Sequence, residues 1–256
     1  MIIGHSVKKL FGLCGMTLYL NKYNPDMTML GAKYIDFDVV IDVGANKGEY
    51  IKRFLRAFPK AQIYAFEPLK EEFSRLQKLF KNKNMHLYNL ALGNKIAKMR
   101  FYQHLDDTGM SSFHQTTLYA HNSWKKMPLR QKTIQVNVST LDQIFQGMIE
   151  PGQKILVKVD AQGYEKKIIE GGKQTLRQAT ACVFEICFAK LYVNQPSFDD
   201  IYQAMHKLGY EYVGSWNQTP LDKGPLEHID AFFVKKDYLK SAQYCELQKQ
   251  VNSPES

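Results

Sequence analysis

The feature that most constrains this chain is a recurrence: a short apolar run rich in β-branched residues, then a helical pattern, several times over. VVIDV (39–43) is a five-residue run of the kind a doubly buried parallel strand needs. Ile51, Phe54, Leu55 and Phe58 follow at helical spacing with Lys52, Arg53 and Arg56 on the other faces, and Pro59 closes the pattern. QIYAFE (62–67) repeats the theme, with Pro68 at a turn and an amphipathic helix marked by Phe73, Leu76, Leu79 and Phe80. MHLYNLAL (85–92) predicts a third strand ended by Gly93. KMRFYQHL (98–105) and TIQVNV (133–138) predict strands on either side of a long polar stretch, and Ser139 or Thr140 is placed to cap a short helix. KILVKVD (154–160), a helix towards Gly171-Gly172, ACVFEICF (181–188) and a helix near 198–208 continue the alternation. YEYV (210–213) and IDAFFV (229–234) then predict a closing, hairpin-like pair.

Alternating strands and helices give a mostly parallel sheet covered on both faces, the doubly wound α/β class, here with an antiparallel edge. The expected organisation is one domain over residues 38–240, an N-terminal helical extension over 1–37 and a polar tail over 241–256. The opening segment is broken by His5, Lys8 and Lys9, so it predicts neither a membrane span nor a signal peptide. A helix packed on the domain is preferred for it, with membrane-surface contact as the weaker alternative.

Composition narrows the partners only slightly. The net charge of +9, from 34 basic and 25 acidic residues, favours an anionic partner or a solvated basic surface. No dense Lys/Arg stripe accompanies it, which argues against nucleic acid. Cys14, Cys182, Cys187 and Cys245 form no C-x-x-C pair, and a reducing cytoplasm fits them. The sequence carries no signal for an oligomeric state.

In a doubly wound sheet, ligands bind beyond the carboxyl ends of the strands, near the reversal of strand order. That rule selects Asp42, Gly44, Asn46 and Gly48 after the first strand, Glu67 after the second, and Asp160, Gln162 and Glu165 after KILVKVD. Gly44 and Gly48 are spaced G-x-x-x-G, without the third glycine that brings a helix onto a pyrophosphate. Asp42 would repel a diphosphate and welcome a cation, while the two oxygens of Glu67 suit the two hydroxyls of a ribose. A nucleoside with a free ribose, no diphosphate and a positive centre is the ligand implied. S-adenosyl-L-methionine has all three properties.

The motifs VVIDVGANKGEY, IYAFEP, LALGN, VSTLDQI and ILVKVDAQGYEKKIIEGG, then the glutamate of CVFEICF, resemble the FkbM-family methyltransferases in order and spacing over residues 39–188. The resemblance implies a class I, Rossmann-like sheet of seven mostly parallel strands with an antiparallel last strand. It also implies S-adenosyl-L-methionine as cofactor and O-methylation as the usual reaction. Carried over by motif, Asp42, Gly44, Asn46 and Gly48 line the methionine end and Glu67 the ribose. Asp160 faces the cofactor and the acceptor together.

An acceptor hydroxyl needs somewhere for its proton to go. Asp160, Glu165 and Lys158 are the catalytic candidates, and strand alternation puts Lys158 and Asp160 on one face, where an ion pair is expected. Glu165 has a second reading, as an acid at the start of the next helix. Asp160 and Glu185 would offer a hard cation two oxygen ligands without a visible third, and no histidine spacing indicates zinc, so no metal is expected. The expected acceptor is a sugar, a glycan or another small hydroxylated metabolite, a nucleotide sugar included. The alternatives are an RNA methyltransferase, and a non-catalytic or NAD-binding protein on a similar sheet. Trp124 and Trp216 have two readings, stacking on a sugar or covering core.

Overall fold

The computed structural model describes residues 29–81, 83–123, 130–221, 226–241, 244 and 245. The helix expected for the start of the chain therefore lies, through residue 28, outside the described residues. So do Trp124 and most of the polar tail. A 3-10 turn, Met29–Tyr34, leads into β1 (Val39–Val43) and helix α1 (Glu49–Ala57). β2 (Gln62–Phe66), α2 (Lys70–Leu79) and β3 (Met85–Tyr88) follow. The chain later returns through β7 (Ile155–Val159), α5 (Glu165–Gly171), α6 (Lys173–Gln178) and β8 (Ala181–Cys187). It ends with α7 (Phe198–Lys207), β9 (Tyr210–Pro220), β10 (Leu226–Lys235) and a short α8 (Lys236–Leu239).

The main sheet has seven strands in the order β3-β2-β1-β7-β8-β10-β9. The β3-β2, β2-β1, β1-β7 and β7-β8 pairs are parallel, and β10 runs antiparallel to both of its neighbours. The expected doubly wound sheet with an antiparallel last strand is the observed one. Every residue of β1 and β7 is buried. One face packs Ile41, Val43, Val157, Val159 and Phe184 under α5–α7. The other packs Val40, Leu156, Val183 and Phe232 against Phe54 and Phe58 of α1 and against Met29, Ala32 and Ile35 of the entry turn. Residues 29–37 are thus continuous with the core of the domain.

Two expectations change. The run 85–92 is not one strand: it breaks at Asn89, whose side-chain amide donates to the carbonyls of Glu67 (2.9 Å) and Pro68 (3.1 Å). Beyond the break, β4 (Ala91–Leu92) joins β5 (Ala97–His104) and β6 (Gln131–Ser139) in a separate sheet ordered β4-β6-β5. The polar stretch between β5 and β6 holds a 3-10 turn (Thr108–Met110) and helix α3 (Leu118–Ser123). Trp216 is a core residue, 5% exposed and packed on Phe232 and Phe54. Thr140 caps α4 (Leu141–Phe145), its hydroxyl oxygen accepting the Gln143 N–H at 3.0 Å. Among the described residues, no helix is long and apolar enough to cross a membrane.

Candidate active site

The chain leaves β1 towards β2 and β3 and comes back on the other side of β1 as β7, which makes the carboxyl ends of β1 and β7 the switch point of the sheet. An open crevice of about 640 Å³ lies there. Its floor is Val43, Gly44 and Asn46 from β1 and Asp160, Ala161 and Gln162 from β7. Glu67, Pro68 and Leu69 close it at the end of β2. Leu90, Leu92, Phe101 and Phe113 supply an apolar wall.

Gly44 is fixed by its neighbours. Its N–H and that of Ala45 both donate to the Phe66 carbonyl at 3.0 Å, its φ is +84°, and a Cβ there would lie 1.9 Å from the Asp160 carbonyl oxygen. Gly44→Ala is therefore expected to cost about 2–5 kcal/mol, from a left-handed backbone and an overpacked strand contact, read as a lowered denaturation midpoint. Gly48 also has positive φ, but a Cβ on it would meet Phe80 and Leu76 at 2.7 and 2.8 Å. It lets α1 start against α2 and does not line the crevice.

Glu67 is buried and its carboxylate is held in place: Oε2 accepts the Asn46 N–H at 2.8 Å and Oε1 the Leu69 N–H at 2.7 Å. Burial pushes its pKa up to about 7 against the pull of those two hydrogen bonds. Each oxygen keeps a lone pair for a further donor. The segment around Thr108 lies across this corner, with the Thr108 hydroxyl 2.9 Å from Glu72 Oε1 and 3.1 Å from Asn46 Oδ1. The sequence marks that segment only as part of a polar stretch between two strands; its place over Glu72 and Asn46 comes from the second sheet that carries it.

On the face under α1, Asp42 and Lys158 are register partners and both are buried, 0% and 1% exposed. Lys158 Nζ donates to Asp160 Oδ2 at 2.9 Å, the expected ion pair, and sits 4.3 Å from the centre of the Tyr50 ring. Tyr50 hydrogen-bonds Asp230 in turn. Burial works against the Lys158 charge, yet the carboxylates of Asp160, Asp42 and Asp230 hold its pKa above the usual lysine range. Burial likewise opposes ionisation of Asp160, and the Lys158 ammonium with its hydrogen bonds wins, keeping that carboxyl below its ordinary value. Asp42 lies behind the crevice. Neither of its oxygens has a hydrogen-bond partner, and burial pushes its pKa up to about 6 despite Lys158.

Glu165 is placed differently from Asp160. It is buried away from the crevice, its Oε1 accepting the N–H groups of Ala161 (3.0 Å) and Gly163 (3.1 Å), so it holds the turn that presents Asp160 and Gln162. Burial pushes its pKa from 4.5 up to about 7. A carboxyl with a raised folded-state pKa stabilises the fold most below about pH 4.5, and that contribution is lost as pH rises through about 7. Glu165→Gln is expected to remove this component, about 3 kcal/mol at about 1.4 kcal/mol per unit. Urea midpoints of variant and parent at pH 5 and pH 8 measure it, and the loss on raising pH should be smaller in the variant.

The sequence selects Gln162 by its place after a strand and sets Glu185 near Asp160, but gives no part to Tyr192 or His228, which the fold brings to the same place. Gln162 Nε2 donates to Asp160 Oδ1 at 2.8 Å and to Glu185 Oε2 at 2.5 Å, and its own Oε1 lies 2.5 Å from the Tyr192 hydroxyl. His228, at the start of β10, has Nε2 3.8 Å from Glu185 Oε1. Their positions in strands or loops far apart in the chain give no local spacing to read. Among the described residues, no group of three or more His, Cys, Asp or Glu side chains is arranged to hold a metal ion.

The sequence profile of the Methyltransferase FkbM domain matches residues 42–212, from Asp42 of β1 into β9. The chain belongs to the FkbM methyltransferase family. This FkbM methyltransferase is 27% identical over 164 residues to the 2-O-methyltransferase NoeI of Sinorhizobium fredii (strain NBRC 101917 / NGR234). That match takes in 61% of the chain and 66% of NoeI, so the chain spans just under two thirds of that relative. Among solved structures, the methyltransferase FkbM of Methylobacillus flagellatus KT superposes with a TM-score of 0.47 at 12% identity, over 78% of this chain and 44% of that one. An S-adenosylmethionine-dependent methyltransferase of Clostridium acetobutylicum ATCC 824 gives 0.46 at 8% identity, over 89% and 96%.

Proposed function

We propose that this FkbM methyltransferase transfers the methyl group of S-adenosyl-L-methionine to a hydroxyl oxygen of a small molecule or glycan. The observation that carries this reading is the crevice at the switch point, with the Glu67 carboxylate at one end and the Lys158-bound Asp160 carboxylate at the other. The residues fit such a cofactor. Glu67 has a free lone pair on each oxygen for the ribose hydroxyls, and Leu69, Leu90, Leu92 and Phe101 offer an apolar slot for the adenine. Gly44 and Asn46 leave room for the amino-acid end, with Asp42 behind them as a buried negative charge and Gly48 shaping the loop.

The bound cofactor supplies a methyl carbon already activated by a sulfonium, so the protein's work is orientation and proton transfer. With acceptor and cofactor bound, Asp160 would take the hydroxyl proton that the acceptor oxygen gives up on accepting the methyl group. Lys158 is a positioning residue: its ammonium keeps Asp160 ionised and fixes its rotamer. Glu165 acts one step further back, by holding the 161–163 turn. The 2-O-methyltransferase activity in the name of the NoeI relative favours an oxygen acceptor. A labelled-methyl transfer screen across oligosaccharides, nucleotide sugars, hydroxylated lipids and RNA tests the reading; label on nitrogen, or base-labile label that marks a methyl ester, contradicts methylation of a hydroxyl.

A further inference from the structure

Glu185 stands near the end of β8, where the β7–β8 register pairs Val159 with Phe184 and so brings Glu185 level with Asp160. On its other side it is the register partner of Asp230 in β10. Its Oε2 shares the Gln162 amide with Asp160, one hydrogen to each carboxyl group. Its Oε1 faces His228 Nε2, which also lies 2.9 Å from the Thr219 hydroxyl, while His228 Nδ1 is 3.4 Å from Glu227 Oε1. The Glu185 side chain is 12% exposed and that of Asp160 24%, so the pair meets solvent at the carboxyl edge of the sheet.

An amide nitrogen donating to two carboxyl groups at once occupies a place where a ligand's own hydrogen-bonding groups would be held in the same way. Burial, together with the nearby Asp160 and Asp230, raises the Glu185 pKa well above the ordinary carboxylate value and so favours the protonated carboxyl, a form that can both donate and accept. Asp160 beside it stays charged, which makes the pair complementary to a hydroxyl: one carboxyl takes its proton, the other donates to its oxygen. The charge at this edge also selects. Asp160 and Glu227 are acids, the Lys158 ammonium is already bound to Asp160, and His228 sits between two glutamates. A phosphate placed here would meet like charge, at a cost of several kcal/mol.

We propose that Glu185 binds the methyl acceptor by hydrogen bonds beside Asp160, and that the part of the acceptor held there is an uncharged polyol such as a sugar ring rather than a phosphate-bearing group. The proposal rests on the methyl-transfer reading above and names its substrate class. Replacing Glu185 by leucine removes the hydrogen bonds without leaving a buried charge, and glutamine restores both a donor and an acceptor.

The test is labelled-methyl transfer to maltotriose, to uridine diphosphate glucose and to bulk RNA, with S-adenosylhomocysteine binding measured on each protein by calorimetry. The expected result is transfer to maltotriose in preference to the two phosphate-bearing compounds. Glu185→Leu should raise KM for maltotriose about thirtyfold, the scale of a lost buried hydrogen bond. Glu185→Gln should stay within about fivefold of the parent, and both variants should bind S-adenosylhomocysteine within about threefold of it. Preferred transfer to uridine diphosphate glucose or RNA, an unchanged KM in Glu185→Leu, or a glutamine variant as impaired as the leucine variant overturns the proposal. So does transfer to none of the three by a protein that binds S-adenosylhomocysteine. A parent protein that does not bind it overturns the methyl-transfer reading itself.

Discussion

Asp160→Asn is expected to lower kcat for methyl transfer by about 10²–10⁴-fold, the usual span for a lost general base, while S-adenosylhomocysteine affinity stays within about tenfold. Asparagine keeps the size of the side chain and its one amide oxygen can still accept from Lys158, while Glu165 continues to hold the 161–163 turn. What it cannot do is take a proton. A general base lost in this way lowers kcat and kcat/KM together, because the interaction is made with the transferring proton and not with the bound acceptor. Steady-state kinetics with any acceptor the screen returns measures this. A variant with kcat within about threefold of the parent would assign the proton elsewhere, with His228, beyond Gln162 and Glu185, the histidine to test next.

The second large effect concerns stability. Lys158→Met should destabilise the fold by about 3–5 kcal/mol, because it removes the cation from a buried site and leaves Asp42, Asp160 and Asp230 facing one another. At about 2–4 °C per kcal/mol for a chain of this size, Tm should fall by about 10 °C, as calorimetry would show. The lost cation has a chemical consequence as well. Lys158 holds the Asp160 pKa down, so without it Asp160 ionises only at higher pH, and residual activity should move to the alkaline side. A variant as stable as the parent would mean that the methionine packs well and the three acids simply protonate, as some buried ion pairs allow.

Much of this was readable from residue order. VVIDV and ILVKV carry apolar residues on both faces, the pattern of a doubly covered parallel strand, and both form the buried centre of the sheet. The period of two along KVD was enough to expect the Lys158–Asp160 pair. The run 85–92 misled because its apolar pattern continues through Asn89, while the break depends on the Glu67 and Pro68 carbonyls some twenty residues earlier. Trp216 sits in a polar stretch of sequence, yet β9 extends through it to Pro220 and turns the indole onto Phe232.

The candidate site was legible where its residues lie at strand ends and illegible where it is assembled from distant segments. Glu67, Asn46 and Asp160 fall at positions the strand-end rule selects, and all three line the crevice. Asp42 and Gly48 obey the same rule, yet Asp42 points into the face under α1 and Gly48 packs its backbone against Phe80 and Leu76. A strand-end position says which loop a residue belongs to, not which way its side chain turns. The edge beside Asp160 is different: the strand-end rule selects Gln162 there, but Tyr192, Glu185 and His228 come to it from separate segments with no shared spacing.

The central claim is that Glu67 and the crevice beside it hold the adenosine of S-adenosyl-L-methionine. Isothermal titration of the protein with S-adenosylhomocysteine, repeated on Glu67→Ala, tests it most directly. Saturable one-to-one binding by the parent, weakened about thirtyfold or more in the variant, is the predicted result, since two hydrogen bonds to a buried carboxylate would be lost. Binding of equal affinity in both proteins, or no binding by a folded parent, would contradict it.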